Sequence, residues 1–214
     1  MDDGTLRYIA AQSPIGDEEA SGGRRTKTIA DFWQMIWQER VDTIVMLSEC
    51  VEENRQKCAQ YWPENAGVES IAVGNDLSVN LYCITEDEIS FQREMYLHKA
   101  GESKRKIMQW QYKAWRDTEG AADAENLLTF MDALRTTERH SPILVHCSAG
   151  SGRTGVFIAV DILLDKLVRE NVIDVFDTVS RLRDSRANMV QTGEQYLTIY
   201  EAIALAIRRR TAVR

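Results

Sequence analysis

The chain has 214 residues, 44% of them hydrophobic and 28% charged, with 26 basic against 33 acidic side chains and a formal net charge of −7. That supplies apolar material for one sizeable core, so a single domain is expected, and it excludes collagen-like and disordered classes. The acidic balance argues against a nucleic-acid partner, because phosphate backbones attract basic faces.

Nothing at Met1-Asp2-Asp3-Gly4 reads as a secretory signal, so a cytoplasmic setting with reduced thiols is expected. Residues 13–27 hold Pro14, three glycines, Asp17-Glu18-Glu19 and Arg24-Arg25, and read as a loop. Asp31 followed by Gln34 has the spacing of a capping box, which predicts a helix over 32–40. The run Thr43-Ile44-Val45-Met46-Leu47 predicts a buried strand. Leu77, Val79, Leu81 and Cys83 alternate with polar residues, as a half-buried strand requires. Residues 89–99 and 107–112 read as further strands, and Lys104-Arg105-Lys106 between them as a solvated hairpin tip. Leu127, Leu128, Met131 and Leu134 mark a helix over 124–135. A strand over 142–146, a helix over 155–169, a helix marked by Val175, Phe176, Val179 and Leu182, and a last helix over 192–208 complete the chain. Arg208-Arg209-Arg210 would favour the dipole at that last C-terminus. Strands interleave with helices, which predicts a mixed α/β sheet flanked by helices. The longest apolar stretch, 156–168, is interrupted by Asp161 and Asp165 and is too short and polar to span a bilayer.

Cysteines stand at 50, 58, 83 and 147 with no C-x-x-C pair, and the three histidines are scattered, so neither a metal site nor a cofactor is expected. Cys50, Cys58 and Cys83 read as small buried residues. Cys147 differs. It ends the run Ile143-Leu144-Val145-His146-Cys147, and Ser148-Ala149-Gly150-Ser151-Gly152 then leads to Arg153-Thr154-Gly155 at the start of a helix. Small residues let the backbone curl, with Gly150 and Gly152 free to take positive φ. The amides from Ser148 to Arg153 can then point inward as an anion nest, reinforced by the helix N-terminus. That field suits a dianionic phosphate and favours the thiolate of Cys147. Arg153 offers a planar fork for two phosphate oxygens, and Thr154 can offer its hydroxyl to the sulfur.

The segment resembles the signature loop of the receptor and non-receptor protein tyrosine phosphatases. Tyr8-Ile9-Ala10-Ala11-Gln12-Ser13-Pro14, Asp31-Phe32-Trp33, Thr43-Ile44-Val45-Met46-Leu47, Lys57-Cys58-Ala59-Gln60-Tyr61-Trp62-Pro63 and Met189-Val190-Gln191-Thr192 are similar to family motifs in family order, over about residues 7–207. The resemblance implies a phosphatase domain over residues 1–214, a twisted mixed sheet flanked by helices, and metal-free hydrolysis of phosphotyrosine in protein partners through a cysteinyl-phosphate.

By the same resemblance, Cys147 is the nucleophile, Arg153 the phosphate clamp and Asp117 the general acid. Gln191 and Gln195 position the attacking water; Thr192 with Gln195 also fits a capping box. Glu52, six residues before Cys58, steadies the arginine; a solvated surface carboxylate is the rival reading. His146 tunes the thiolate or is a core histidine, and Trp115 leads the acid loop. Two departures stand out. Arg116 occupies a position where the family motif has proline, and 118–123 lack the aromatic-glycine pair and later proline. No Asn-Arg-Tyr element precedes Leu6-Arg7-Tyr8, so a fragment, a shortened form or an incomplete substrate pocket is expected. The competing function is a phosphotyrosine-binding module without turnover.

Overall fold

Fifteen elements run along the described part of the chain: β1 (Tyr8–Gln12), α1 (Asp17–Ala20), α2 (Ile29–Gln38), β2 (Thr43–Met46), β3 (Val51–Glu52), β4 (Arg55–Gln56), β5 (Ile71–Ala72), β6 (Leu77–Glu86), β7 (Ser90–Lys99), β8 (Arg105–Tyr112), α3 (Ala124–Arg135), β9 (Ile143–Cys147), α4 (Gly152–Arg169), α5 (Val175–Ser185) and α6 (Gly193–Ala212). The computed structural model describes residues 7–20, 26–67, 70–74, 76–115, 123–137 and 142–212.

The main sheet has the order β1-β9-β2-β8-β7-β6-β5. Its first half is parallel, β1 with β9, β9 with β2 and β2 with β8; its second half is an antiparallel meander. Parallel strands bury both faces, and β2 and β9 are buried at every position. Alternation splits them between two cores. Val45, Leu47, Ile143, Val145 and Cys147 face the layer of α3, α4, α5 and α6. Ile44, Met46 and Leu144 face α2, with Phe32, Trp33, Ile36 and Trp37, and the Cys58–Trp62 segment. Cys147 and its neighbour His146 therefore leave β9 on opposite faces.

Several sequence readings shift. The expected 32–40 helix begins at Ile29, so Asp31 lies in its first turn and is not its cap. Thr28 stands at the N-cap, but its Oγ1 accepts from the Ile15 N–H across the preceding loop. That loop contains the short α1. Cys58 is buried as expected, Cys50 is half-buried, and Cys83 is exposed. The cause at Cys83 is a register shift between Leu81 and Cys83, which takes it off the inward face that Leu77, Val79 and Leu81 share. Arg105 is not at a solvated tip. Its guanidinium lies 3.4 Å from the Trp37 ring centroid and donates to the Trp37 carbonyl at 2.8 Å. Arg209 pairs with Asp132 and Glu125 on α3, and Arg210 donates to the Leu167 carbonyl on α4, so the terminal arginines tie helices together.

A buried carboxylate secures the layer behind the sheet. Asp161, fully buried in α4, accepts from Tyr8 Oη at 2.9 Å and from Arg135 Nε at 2.8 Å, joining β1, α4 and α3. Removing one partner of such a pair leaves charge in a poor solvent. Asp161→Ala is expected to lower unfolding stability by about 3–5 kcal/mol, measured by urea titration followed through tryptophan fluorescence.

Candidate active site

Cys147 is the last residue of β9 and sits at the carboxyl end of the parallel half of the sheet, where open α/β sheets place ligand crevices. Four residues, Ser148 to Ser151, turn the chain into α4. Gly150 has φ +70, and a Cβ there would lie 2.1 Å from the Ala11 carbonyl oxygen, so only glycine fits. Its N–H donates to Cys147 Sγ at 3.3 Å. Gly152 differs from the sequence expectation: it lies outside the positive-φ region, and its need is space. A Cβ at Gly152 would stand 2.8 Å from both Gln191 Oε1 and Gln195 Nε2. Those two glutamines therefore lie directly over the start of α4. The helix, which begins at Gly152 rather than 155, has no acidic residue in its first turn, so its N-terminal field is not cancelled locally.

Arg153 is in that first turn. Its Nη1 and Nη2 donate to Glu52 Oε1 and Oε2 at 2.6 and 2.9 Å, and Nη1 also reaches the Leu47 carbonyl at 3.0 Å. Glu52 lies on the β3–β4 hairpin, and its Oε1 accepts the Glu49 N–H at 3.0 Å. It is 9% exposed and bidentate to Arg153, so a solvated surface carboxylate does not describe it. The pairing holds the guanidinium plane in one orientation.

The outside of the turn is tied at four carbonyls, by three residues. The Ser13 N–H donates to the Ser148 carbonyl at 3.1 Å. Arg186 Nε donates to the Gly150 carbonyl at 2.9 Å and Nη2 to the Ala149 carbonyl at 3.3 Å. Carbonyls are thus drawn outward, which is the arrangement that turns amides inward. The Val190 N–H donates to the Ser151 carbonyl at 3.2 Å. Val190 has φ +59, an outlying conformation for a β-branched residue, and its carbonyl is held by Arg183 Nη2 at 2.8 Å. Next to it, Gln195 Oε1 accepts the Gln191 N–H at 2.8 Å, while Thr192 Oγ1 accepts the Gln195 N–H at 3.2 Å. The expected capping box thus closes one residue early, on Gln191. Thr154 is fully buried, and its Oγ1 has no hydrogen-bond partner among the described residues; the sulfur contact seen is that of Gly150.

His146 is fully buried, with Nε2 2.8 Å from Tyr61 Oη and its ring edge-on to Phe32. Burial pushes its pKa down to about 4, so it is neutral near pH 7. Trp115 packs in the helical core against Tyr112. Arg116 and Asp117 lie outside the described residues. Among the described residues, no group of three His, Cys, Asp or Glu side chains could hold a metal ion. Sequence reading did not single out Ser13, Tyr61 or Arg186 individually. Ser13 and Tyr61 sit within the motifs 8–14 and 57–63, whereas nothing local marks Arg186 as a loop tie.

Comparison with known proteins agrees with this geometry. A sequence profile of the protein-tyrosine phosphatase family matches residues 1–205. The chain is 36% identical over 199 residues to receptor-type tyrosine-protein phosphatase F of Rattus norvegicus, which covers 92% of the chain and 10% of that protein. It is 37% identical over 203 residues to tyrosine-protein phosphatase non-receptor type 5 of Mus musculus, covering 92% of the chain and 34% of that relative. It is also 37% identical over 200 residues to receptor-type tyrosine-protein phosphatase alpha of Homo sapiens, covering 92% and 23%. The chain thus spans about a third or less of each of these three relatives, and it belongs to the protein-tyrosine phosphatase family.

The neutral, buried His146 makes a prediction about pH. Its folded pKa lies below the unfolded value, so the unfolded state binds more protons between about 6.5 and about 4. Its contribution to stability is complete above that window and is lost as pH falls through it. Stability measured by denaturant titration should fall from pH 7 to pH 4.5 by on the order of 2–3 kcal/mol more in the wild type than in His146→Asn.

Proposed function

We propose that the chain hydrolyses phosphotyrosine in proteins through a cysteinyl-phosphate. The observation that carries the reading is one turn bearing a buried cysteine, an uncancelled helix N-terminus and an arginine held bidentate by Glu52. Ser148, Ala149, Gly150, Ser151, Gly152 and Arg153 hold the phosphoryl oxygens with their amides, and the Arg153 guanidinium adds charge. These groups are preorganised for the equatorial oxygens of the transition state. The Cys147 thiolate attacks phosphorus, the P–O bond to tyrosine breaks, and Asp117 gives its proton to the leaving oxygen. Water, oriented by Gln191 and Gln195, then attacks the phosphorus, returns a proton to Asp117 and expels the thiolate, which the Thr154 hydroxyl can stabilise. A reducing, cytoplasmic compartment suits a thiolate nucleophile.

A second reading, phosphotyrosine binding without turnover, draws on Arg116 in the acid loop. Its positive charge favours the Asp117 carboxylate over the acid, and the loop lacks the φ restriction of proline. The two readings part on kinetics. Vanadate-sensitive hydrolysis of p-nitrophenyl phosphate is expected from the purified chain and is expected to vanish in Cys147→Ser, which should still bind a phosphotyrosine peptide. Arg153→Lys should cost at least about a hundredfold, since a point charge cannot replace a planar fork. Asp117→Ala should lower kcat on a phosphotyrosine peptide by about 10²–10⁴-fold, with a smaller loss on p-nitrophenyl phosphate, whose leaving group needs less protonation. Unchanged peptide turnover in Asp117→Ala would remove Asp117 from the mechanism.

Glu52 can be tested apart from the chemistry. Glu52→Ala removes the carboxylate partner of a buried guanidinium and is expected to cost about 3–5 kcal/mol of stability. It should also weaken vanadate inhibition at temperatures where the variant remains folded.

A further inference from the structure

A buried polar chain leads to the nucleophile's neighbour from the far side of the sheet. It starts at Arg93 on β7, which is 7% exposed. Its guanidinium carbon lies 4.4 Å from the Trp62 ring centroid and 4.9 Å from that of Phe91. Arg93 Nη1 donates to Gln109 Oε1 at 2.9 Å and to Gln111 Oε1 at 2.8 Å. Arg93 and Gln109 are directly opposed in the β7–β8 register. Gln109 and Gln111 are two apart on β8 and share a face.

An arginine can only donate, so both amide oxygens must point at it. That settles where the amide nitrogens point. Gln111 Nε2 donates to the Ser48 carbonyl at 3.1 Å, an acceptor-only partner that independently fixes the same orientation. Gln109 Nε2 donates to Tyr61 Oη at 2.6 Å. Tyr61 Oη has one proton. With Gln109 donating to that oxygen, His146 Nε2 at 2.8 Å is the acceptor among the described residues within hydrogen-bond distance of that proton, which would otherwise be buried unpaired. His146 Nε2 is therefore the acceptor, and the proton of the neutral ring is on Nδ1, which is buried on the side of the Cys147 backbone and has no hydrogen-bond partner of ordinary geometry among the described residues.

The geometry points to Arg93 and Gln109 as positioning residues that set the tautomer of His146 through Tyr61, so that an N–H rather than a lone pair stands at Nδ1, on the side of the Cys147 backbone. A reversed chain would turn a lone pair toward the residue whose sulfur must carry negative charge. The relay is a property of the resting protein. Its purpose rests on the proposed role of Cys147.

Gln109→Glu tests it with almost no change of shape. The introduced carboxylate still accepts from Arg93 but cannot donate to Tyr61. Tyr61 then gives its proton to that carboxylate, and its oxygen must be served by His146 Nε2–H. The measurement is long-range ¹H–¹⁵N correlation on the full chain labelled at its three histidines, with His146 identified by its absence in His146→Asn. The wild type is expected to show His146 protonated at Nδ1 alone. Gln109→Glu is expected to show protonation at Nε2, with or without Nδ1. Arg93→Met, which frees the Gln109 amide, should give a mixture of the two tautomers.

A wild-type spectrum with the proton on Nε2 overturns the proposal whether or not any variant folds. So does a Gln109→Glu spectrum identical to the wild type. The link to Cys147 is read from the rate of its alkylation by iodoacetate, followed by mass spectrometry of its peptide across pH. The midpoint should rise by at least about half a unit in Gln109→Glu, and an unmoved midpoint removes that link. None of these measurements uses a substrate. A chain with the expected tautomer but no phosphatase activity would sink the proposed reaction and leave the relay standing; an active chain with the wrong tautomer would do the reverse.

Discussion

Arg153 and Glu52 are buried together, each with about 8% of its side chain exposed. Taking two ions out of water costs several kcal/mol each, and only close geometry with further hydrogen bonds offsets it. The fold supplies that geometry from two places far apart in the chain, residues 47–52 and the first turn of α4. The hairpin β3–β4 carries Glu52, the end of β2 brings the Leu47 carbonyl, the Glu49 amide fixes one carboxylate oxygen, and the first turn of α4 carries Arg153. Glu52 and the Leu47 carbonyl are each about a hundred positions from the guanidinium in the chain. The pair therefore exists only when the parallel half of the sheet is assembled, which couples the orientation of the guanidinium to the integrity of the whole domain.

The turn between β9 and α4 works under a second constraint. Its amides can converge only if its carbonyls are satisfied elsewhere. Ser13 from the end of β1, Arg186 from the end of α5 and the amide of Val190 take that role. Glycine is required at 150 because the β1 backbone passes within contact of where a Cβ would be, whereas a Cβ at 152 would displace the side-chain ends of Gln191 and Gln195. Strain at Val190 is consistent with this arrangement: two hydrogen bonds hold a backbone shape that a β-branched residue would otherwise leave.

Strand alternation gives Cys147 and His146 different environments although they are neighbours. Cys147 faces the helical layer behind the sheet, and His146 enters the aromatic core of Phe32, Trp33 and Tyr61. One residue of β9 can thus belong to the anion site while the next is reached by a polar chain running from β7 through β8. The two faces of one strand are reached from different layers, so His146 is approached from the aromatic side without any group entering the proposed anion site.

Much of this was legible in the chain itself. The strand–Cys–glycine turn–Arg–helix succession is local, so period, small residues and residue chemistry were enough to place the turn between a strand and a helix and to single out Cys147 and Arg153 as candidates. Helix α3 was read to the residue, because its apolar spacing is strict and Asp123 caps it. Where competing partners decide, local signals failed. The capping pattern at Asp31 lost to a helix that already begins at Ile29, where Thr28 bonds across a loop instead. Alternation misplaced Cys83 because a bulge, which adds no sequence signature of its own here, resets the face. Arg105 looked like part of a basic tip, yet it stacks on Trp37, 68 positions away. What the sequence by itself determined was therefore the strand–turn–helix succession around Cys147 and the class of sheet, both set by neighbours within a few residues. Family resemblance had pointed to Glu52 beside Arg153, but its bidentate burial, the ties of Arg186 and Ser13, and the hydrogen bonds linking Arg93 to His146 were decided only by tertiary structure. Each depends on which donors and acceptors, far apart in the chain, are left facing one another once water has been removed.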